Sequence, residues 1–250
     1  MDTINKIKRL GLWIFLITFI SVNVCLILSQ SFEFREHDVP SPGNYYGDLK
    51  IYNIGDAIAD KSSEWIIPYL DGTSSISRVV RVFPNNILFK LSMFVTGILL
   101  IRYWLLNKKL IEDLKIKETA TNKMIFFGIC SAIFLIIHSI FLGIKFDIAI
   151  YKLFRRIILL LFILMEITAQ FYLIKIFYKN KDLIEKFINI KILNIKKMLV
   201  YLLIIIAALI LPFLPFANLK ILKHALEWNY FLGVITFYLL TFFLWKKKLN

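Results

Sequence analysis

The chain has 250 residues, 59% of them hydrophobic, and a formal net charge of +14. A soluble domain carries about 45–50% apolar residues; here mean hydropathy is +0.71, and the excess is gathered into long runs separated by short lysine-rich stretches. That layout excludes a soluble core, and it makes the positive charge a flank to membrane spans rather than a nucleic-acid footprint.

The first apolar run, Leu10–Ser29, follows Lys6, Lys8 and Arg9. It is longer than a signal-peptide core, and its exit, Ser29-Gln30-Ser31-Phe32-Glu33, offers no small-x-small cleavage site, so an uncleaved first span is predicted. Next comes a loop from about residue 30 to residue 86, which holds four of the six prolines and the acids Asp56, Asp60, Glu64 and Asp71. Pro40-Ser41-Pro42-Gly43-Asn44 reads as a turn, and Glu64–Leu70 is amphiphilic enough to lie on a membrane surface. Five further runs approach the roughly 20 residues needed to cross the hydrocarbon layer: Ile87–Leu106, Met124–Ile144, Ile157–Tyr178, Met198–Phe216 and Trp228–Trp245. Trp13, Trp104, Trp228 and Trp245 fall near span ends, as an aromatic belt predicts. The expected fold is an all-α polytopic bundle of about six transmembrane helices in one membrane domain, with one extracytoplasmic loop of about 55 residues after the first span.

Lysine and arginine placement sets the expected orientation. Segments 1–9, 107–123, 179–197 and 246–250 carry 17 such residues, Lys196 and Lys197 among them, against 6 in the two short opposite loops. This bias places both termini in the cytoplasm, in a plasma membrane if the cell is bacterial and an endomembrane if it is eukaryotic.

Signatures of soluble enzymes are absent: there is no P-loop, G-x-G-x-x-G, H-E-x-x-H or G-x-S-x-G. Cys25 and Cys130 both lie in apolar runs, and only three histidines are present, so neither a disulfide framework nor a metal centre is implied. No cofactor is implied either.

Polar residues within spans are costly and point to function by default. Glu166 lies near the middle of the fourth span, with Gln170 one turn on along the same face. His138, in the third span, is at a depth within about 4–5 Å of Glu166 at 1.5 Å per residue. A His138–Glu166–Gln170 cluster would handle protons or bind a headgroup. The same residues serve equally as interhelical hydrogen bonds worth about 1 kcal/mol each. A second group gathers on the loop side: Asp56, Glu64, Arg78 and Arg81 from the loop, and Glu227 with Trp228 at the start of the sixth span. Mixed charge over a bundle mouth suits a zwitterionic or phosphorylated headgroup; a salt-bridged lid is the other reading. The expected partners are therefore membrane lipids, and no nucleic acid.

At these residues the chain resembles the family that includes the damage-regulated autophagy modulators and the membrane factors that remodel GPI-anchor lipids. Members have about six spans, and the long loop after the first carries a motif like I-S-D-T-G-x-x-P-P-E-x-x-I-F. Here Ile54-Gly55-Asp56 matches its start, with Gly55 in the serine position, and Glu64 and Ile67 fit if one residue is inserted before them. Ala57-Ile58 stand for Thr-Gly, and the proline pair is missing. Pro68-Tyr69-Leu70-Asp71-Gly72-Thr73 is a second stretch similar to the motif's start. The sixth span reads Ala225-Leu226-Glu227-Trp228, then Tyr238 and Thr241-Phe242, as the family's does. The resemblance implies a protein that recognises or helps remodel a membrane lipid headgroup; it transfers no catalytic residue. A non-enzymatic membrane regulator or scaffold is the alternative, and a small proton-coupled transporter with Glu166 as its coupling residue is a further one.

Overall fold

A computed structural model describes residues 2–31, 67–80, 83–142, 149–210 and 220–246. In water-free surroundings every backbone amide needs an internal partner, so apolar runs of this length fold as helices. The long ones are α1 (Asp2–Ser31), α4 (Asn85–Asp113), α5 (Ala120–Phe141), α6 (Ala149–Lys179), α8 (Ile190–Ile210) and α9 (Lys220–Leu244); the short ones are α2 (Pro68–Asp71), α3 (Ile76–Val79) and α7 (Lys181–Ile184). Six helices are long and apolar enough to cross a membrane. No strand occurs among the described residues, so the chain is an all-α polytopic bundle.

Several helices outrun the apolar segments. The first begins at Asp2, where Asp2 and Lys6 pair across one turn. The last begins at Lys220, two turns before Trp228. Residues 68–79, read above as loop, contain the two short helices α2 and α3.

The long helices close a ring. α1 packs on α4 and α9, α4 on α5, α5 on α6, α6 on α8, and α8 on α9. The start of α1, the end of α9 and the α4–α5 and α6–α8 connections lie at one end, called here the terminal end. There the segment after α9 is clasped by the turn before α8: Asn189 N–H donates to Leu244 O (2.7 Å), and Lys246 N–H donates to Phe187 O (2.9 Å). The other end carries residues 67–80, called here the cap.

A ring of six leaves an axis to fill, and large side chains fill it: Tyr103 and Trp104 from α4, Phe177 from α6, and Phe237 and Tyr238 from α9 are all buried. Ile20, Leu91, Phe126 and Ile205 stand exposed on the outside, as lipid-facing side chains should. The tryptophans depart from the expected belt. Trp13 is 56% exposed, but Trp104, Trp228 and Trp245 are buried in the protein. The Trp104 indole lies against α5 at Gly128, where an added Cβ would come within 2.5 Å of the ring.

Gly128→Ala is therefore expected to overpack this contact and cost about 1–3 kcal/mol, read as a lower thermal unfolding temperature in mild detergent. An unchanged unfolding temperature would show that Trp104 has room to move.

Candidate functional site

Polar side chains converge in two places, one at the cap and one on the axis.

The cap is held down by α9. Pro68 starts α2 in the position where a missing N–H costs nothing. Asp71 ends it: its carboxylate accepts the N–H of Ile67 (2.9 Å), the N–H of Thr73 (2.9 Å) and the hydroxyl of Thr73 (2.8 Å). Gly72 then takes φ +60°, and its backbone lies so close to α9 that a Cβ would fall 2.0 Å from the carbonyl oxygen of Ile221. Only glycine fits both demands. From there α9 reads the cap backbone. His224 Nδ1 donates to Gly72 O (3.0 Å), Trp228 Nε1 to Ser74 O (2.8 Å), and Asn229 Nδ2 to Tyr69 O (2.7 Å). The Glu227 carboxylate lies by the backbone N–H groups of Ile76 and Ser77 at the start of α3. Tyr69 stacks edge-on against Trp228 at 4.9 Å and donates its hydroxyl to Asn23 on α1 (3.2 Å). On the far side of the cap, Asn85 ties α4 to Cys25 O (2.8 Å) and to Val79 O (3.0 Å).

Of the six headgroup candidates, Asp56, Glu64 and Arg81 lie outside the described residues. Arg78 is exposed on α3, and its charge acts on Glu227. Glu227 and Trp228 meet at the cap, where the Trp228 N–H already binds Ser74 O.

The axial site is built around Glu166, only 1% exposed. Its Oε2 is hydrogen-bonded to Ser131 Oγ on α5 (2.6 Å), and its Oε1 accepts from Gln170 Nε2 one turn along α6 (3.0 Å) and from the Tyr238 hydroxyl on α9. Trp104 Nε1 on α4 turns toward the same carboxyl without closing a hydrogen bond. Gln170 Oε1 is likewise buried without a partner. Beside this lies a second knot. Lys196 on α8, 1% exposed, donates to Thr241 Oγ1 (2.7 Å), and its Nζ sits 3.7 Å over the ring of Phe237. The Thr241 hydroxyl gives its own proton to Phe237 O (3.0 Å). A hydroxyl has one proton and two lone pairs, so Tyr103 OH, 3.1 Å away, must donate to Thr241. Tyr103 also packs edge-on against Tyr238 with ring centroids 5.0 Å apart, bringing the two knots side by side.

Sequence reasoning paired Glu166 with Gln170, and they are bonded. His138 lies two turns from Ser131 along α5; its Nδ1 is buried without a hydrogen-bond partner, and it bonds to neither Glu166 nor Gln170. Ser131, Tyr103, Thr241 and Lys196 were not singled out as site residues. Lys196, grouped above with the loop lysines, is an interior residue. The signal was present: Leu193, Lys196, Val200 and Leu203 are all buried and recur at the spacing of one helix face. Among the described residues, no three histidine, cysteine or acidic side chains gather as metal ligands.

No protein-family model, curated protein or solved structure matches the chain.

Lys196 generates a prediction with opposite signs. Thr241→Val leaves the buried Lys196 amine without its acceptor and should destabilise by about 1–3 kcal/mol, whereas Lys196→Met removes the buried polar group altogether and should be neutral or stabilising. The double variant should recover most of the loss. Thermal unfolding of the three variants checks this, and a Lys196→Met protein weaker than Thr241→Val would show that the lysine itself holds the helices together.

Proposed function

We propose that the chain is a lipid-handling multi-pass membrane protein that recognises a headgroup at its cap end, as its resemblance to the autophagy-modulator and GPI-lipid-remodelling family implies. One observation carries the reading. The two described stretches that resemble the family, Pro68–Thr73 and Ala225–Trp228, are distant in sequence yet meet: Tyr69 stacks on Trp228, and Gly72 O is bonded to His224, 152 positions away and just before the second stretch. Trp228 then reaches Ser74, 154 positions away. Residues shared with a family for packing alone need not lie at one junction. With both termini oriented to the cytoplasm on the 17-to-6 charge bias, this junction faces the lumenal or extracellular leaflet. Arg78, exposed beside Glu227, supplies a cation for a phosphate there, and Asp56, Glu64 and Arg81 belong to the same loop.

The axial site supports a second reading, proton-coupled transport. The Ser131 hydroxyl is 2.6 Å from Glu166 Oε2 and 2.8 Å from Gly128 O. These are two acceptors for one proton, and a proton carried on Glu166 completes the set.

Native mass spectrometry of the protein released from several mild detergents tests the first reading. Wild type should retain a co-purified lipid. Trp228→Phe keeps the ring against Tyr69 but loses the N–H, and should retain about five- to tenfold less, the equivalent of one hydrogen bond. Absence of retained lipid in every detergent would sink the proposal. For the second reading, proteoliposomes should dissipate a proton gradient and Glu166→Gln should abolish this; equal dissipation by both proteins, or by neither, removes it.

A further inference from the structure

We propose that the outer face of the α6–α8 junction, at the terminal end, binds the phosphate of an anionic phospholipid, with Lys197 as its principal contact. This stands apart from the cap reading, since it lies at the opposite end of the bundle and on its outside.

Lys196 and Lys197 are neighbours in sequence and point opposite ways. Lys196 is sealed on the axis. Lys197 reaches outward to the seam between two helices: its ammonium lies 4.1 Å over the ring of Tyr178 from α6 and 6.0 Å from that of Tyr201 on α8 itself. Tyr178 OH donates to Asn194 Oδ1 on α8 (3.2 Å), which holds the two helices in register at this point. An aromatic row continues from Tyr201 to Phe171 (6.0 Å), to Tyr172 (5.7 Å), and to Phe127 stacked on Tyr172 (5.9 Å). The row ends at a second cation, Lys123 from α5, 6.0 Å from the Tyr172 ring. Lys175, exposed on α6, falls one turn from both Phe171 and Tyr178 and so shares their face.

Among the described residues no acid neutralises these lysines. Glu118, near the start of α5, is taken by Lys179 at 2.8 Å, and no described acid pairs with Lys123, Lys175 or Lys197. Three cations on an aromatic floor, at the depth where a helix leaves the hydrocarbon, present a phosphate with charge and with phenol donors from Tyr172 and Tyr201. Ring faces hold the lysine stems in place without quenching their charge. A zwitterionic lipid would bring its own ammonium against the same lysines, so the uncompensated charge selects a net anionic headgroup. Junctions of basic residues between spans are where such lipids are held, and α8, the least buried of the six long helices, leaves its side of the groove open to an acyl chain.

The test uses the full chain in mild detergent, offered phosphatidylglycerol or phosphatidylcholine, with retained lipid read by native mass spectrometry and thermal unfolding followed in parallel. Wild type should retain phosphatidylglycerol preferentially and gain thermal stability from it alone. Lys197→Ala should cut that preference about fivefold, and adding Lys123→Ala and Lys175→Ala should each cut it by about as much again. Lys197→Arg should keep the preference, and Tyr201→Phe should weaken it with no change of charge. Lys108→Ala, at the same end but beside Glu112 on α4, should leave it unaltered. Equal retention of the two lipids by wild type, or an equal loss in Lys108→Ala, would overturn the assignment. If Lys197→Ala unfolds, Lys197→Arg and Tyr201→Phe decide the matter: loss of preference in the arginine variant, or none in the phenylalanine variant, would overturn it.

Discussion

Three hydrogen-bonding side chains carried on three helices, Ser131 on α5, Gln170 on α6 and Tyr238 on α9, close on the single carboxyl group of Glu166. An apolar membrane gives helices little reason to choose one rotation over another, because lipid tails solvate leucine as well as a neighbouring helix does. A buried carboxyl does give a reason, since every orientation that leaves it without donors is costly. α6 and α9 are not neighbours in the ring, and Tyr238 and Gln170 reach between them. The axial site therefore sets the rotation of α5, α6 and α9 together, and Gly128 and Trp104 fit only in that arrangement. Lys196 does the same for α8 through Thr241.

The parts of the structure legible in the sequence are those that depend on one helix at a time. Six apolar runs give six spans because each run satisfies its own backbone. Glu166 and Gln170 were legible as a pair because their spacing is a local property of one helix. What could not be read depends on which helices face each other. A serine or tyrosine in an apolar run signals nothing until the opposite helix is placed, so Ser131 and Tyr103 stayed silent. The start of α9 was hidden for a different reason. His224 and Glu227 break the apolar run because they face the cap, so hydropathy reads the first turns of α9 as loop. Lys196 was masked by its neighbours in a lysine-rich stretch, although its helical face gave it away.

The cap and the axis are joined by one rigid element. Residues 224–229 of α9 hold the cap, and residues 234–241 of the same helix serve the axial site, a separation of about three turns. A change in either site is felt at the other as a rotation or a shift of α9, with no chain of intermediate contacts needed. Both proposed activities thus share a mechanical element, and a protein that bound a headgroup at the cap would have its axial proton site within reach of the same movement.

α9 also emerges from the ribosome after the five other long helices. Until it inserts, Glu166 lacks its phenol partner, Lys196 lacks Thr241, the cap carbonyls of Tyr69, Gly72 and Ser74 lack their side-chain donors, and α1 and α8 face open lipid where the ring should close. The first five spans are therefore an unfinished assembly with a carboxyl and an amine facing hydrocarbon, the kind of surface that membrane quality-control proteases recognise. Arrival of the last helix satisfies all of these groups in one step, and survival of the newly made protein then turns on the speed of a single insertion event.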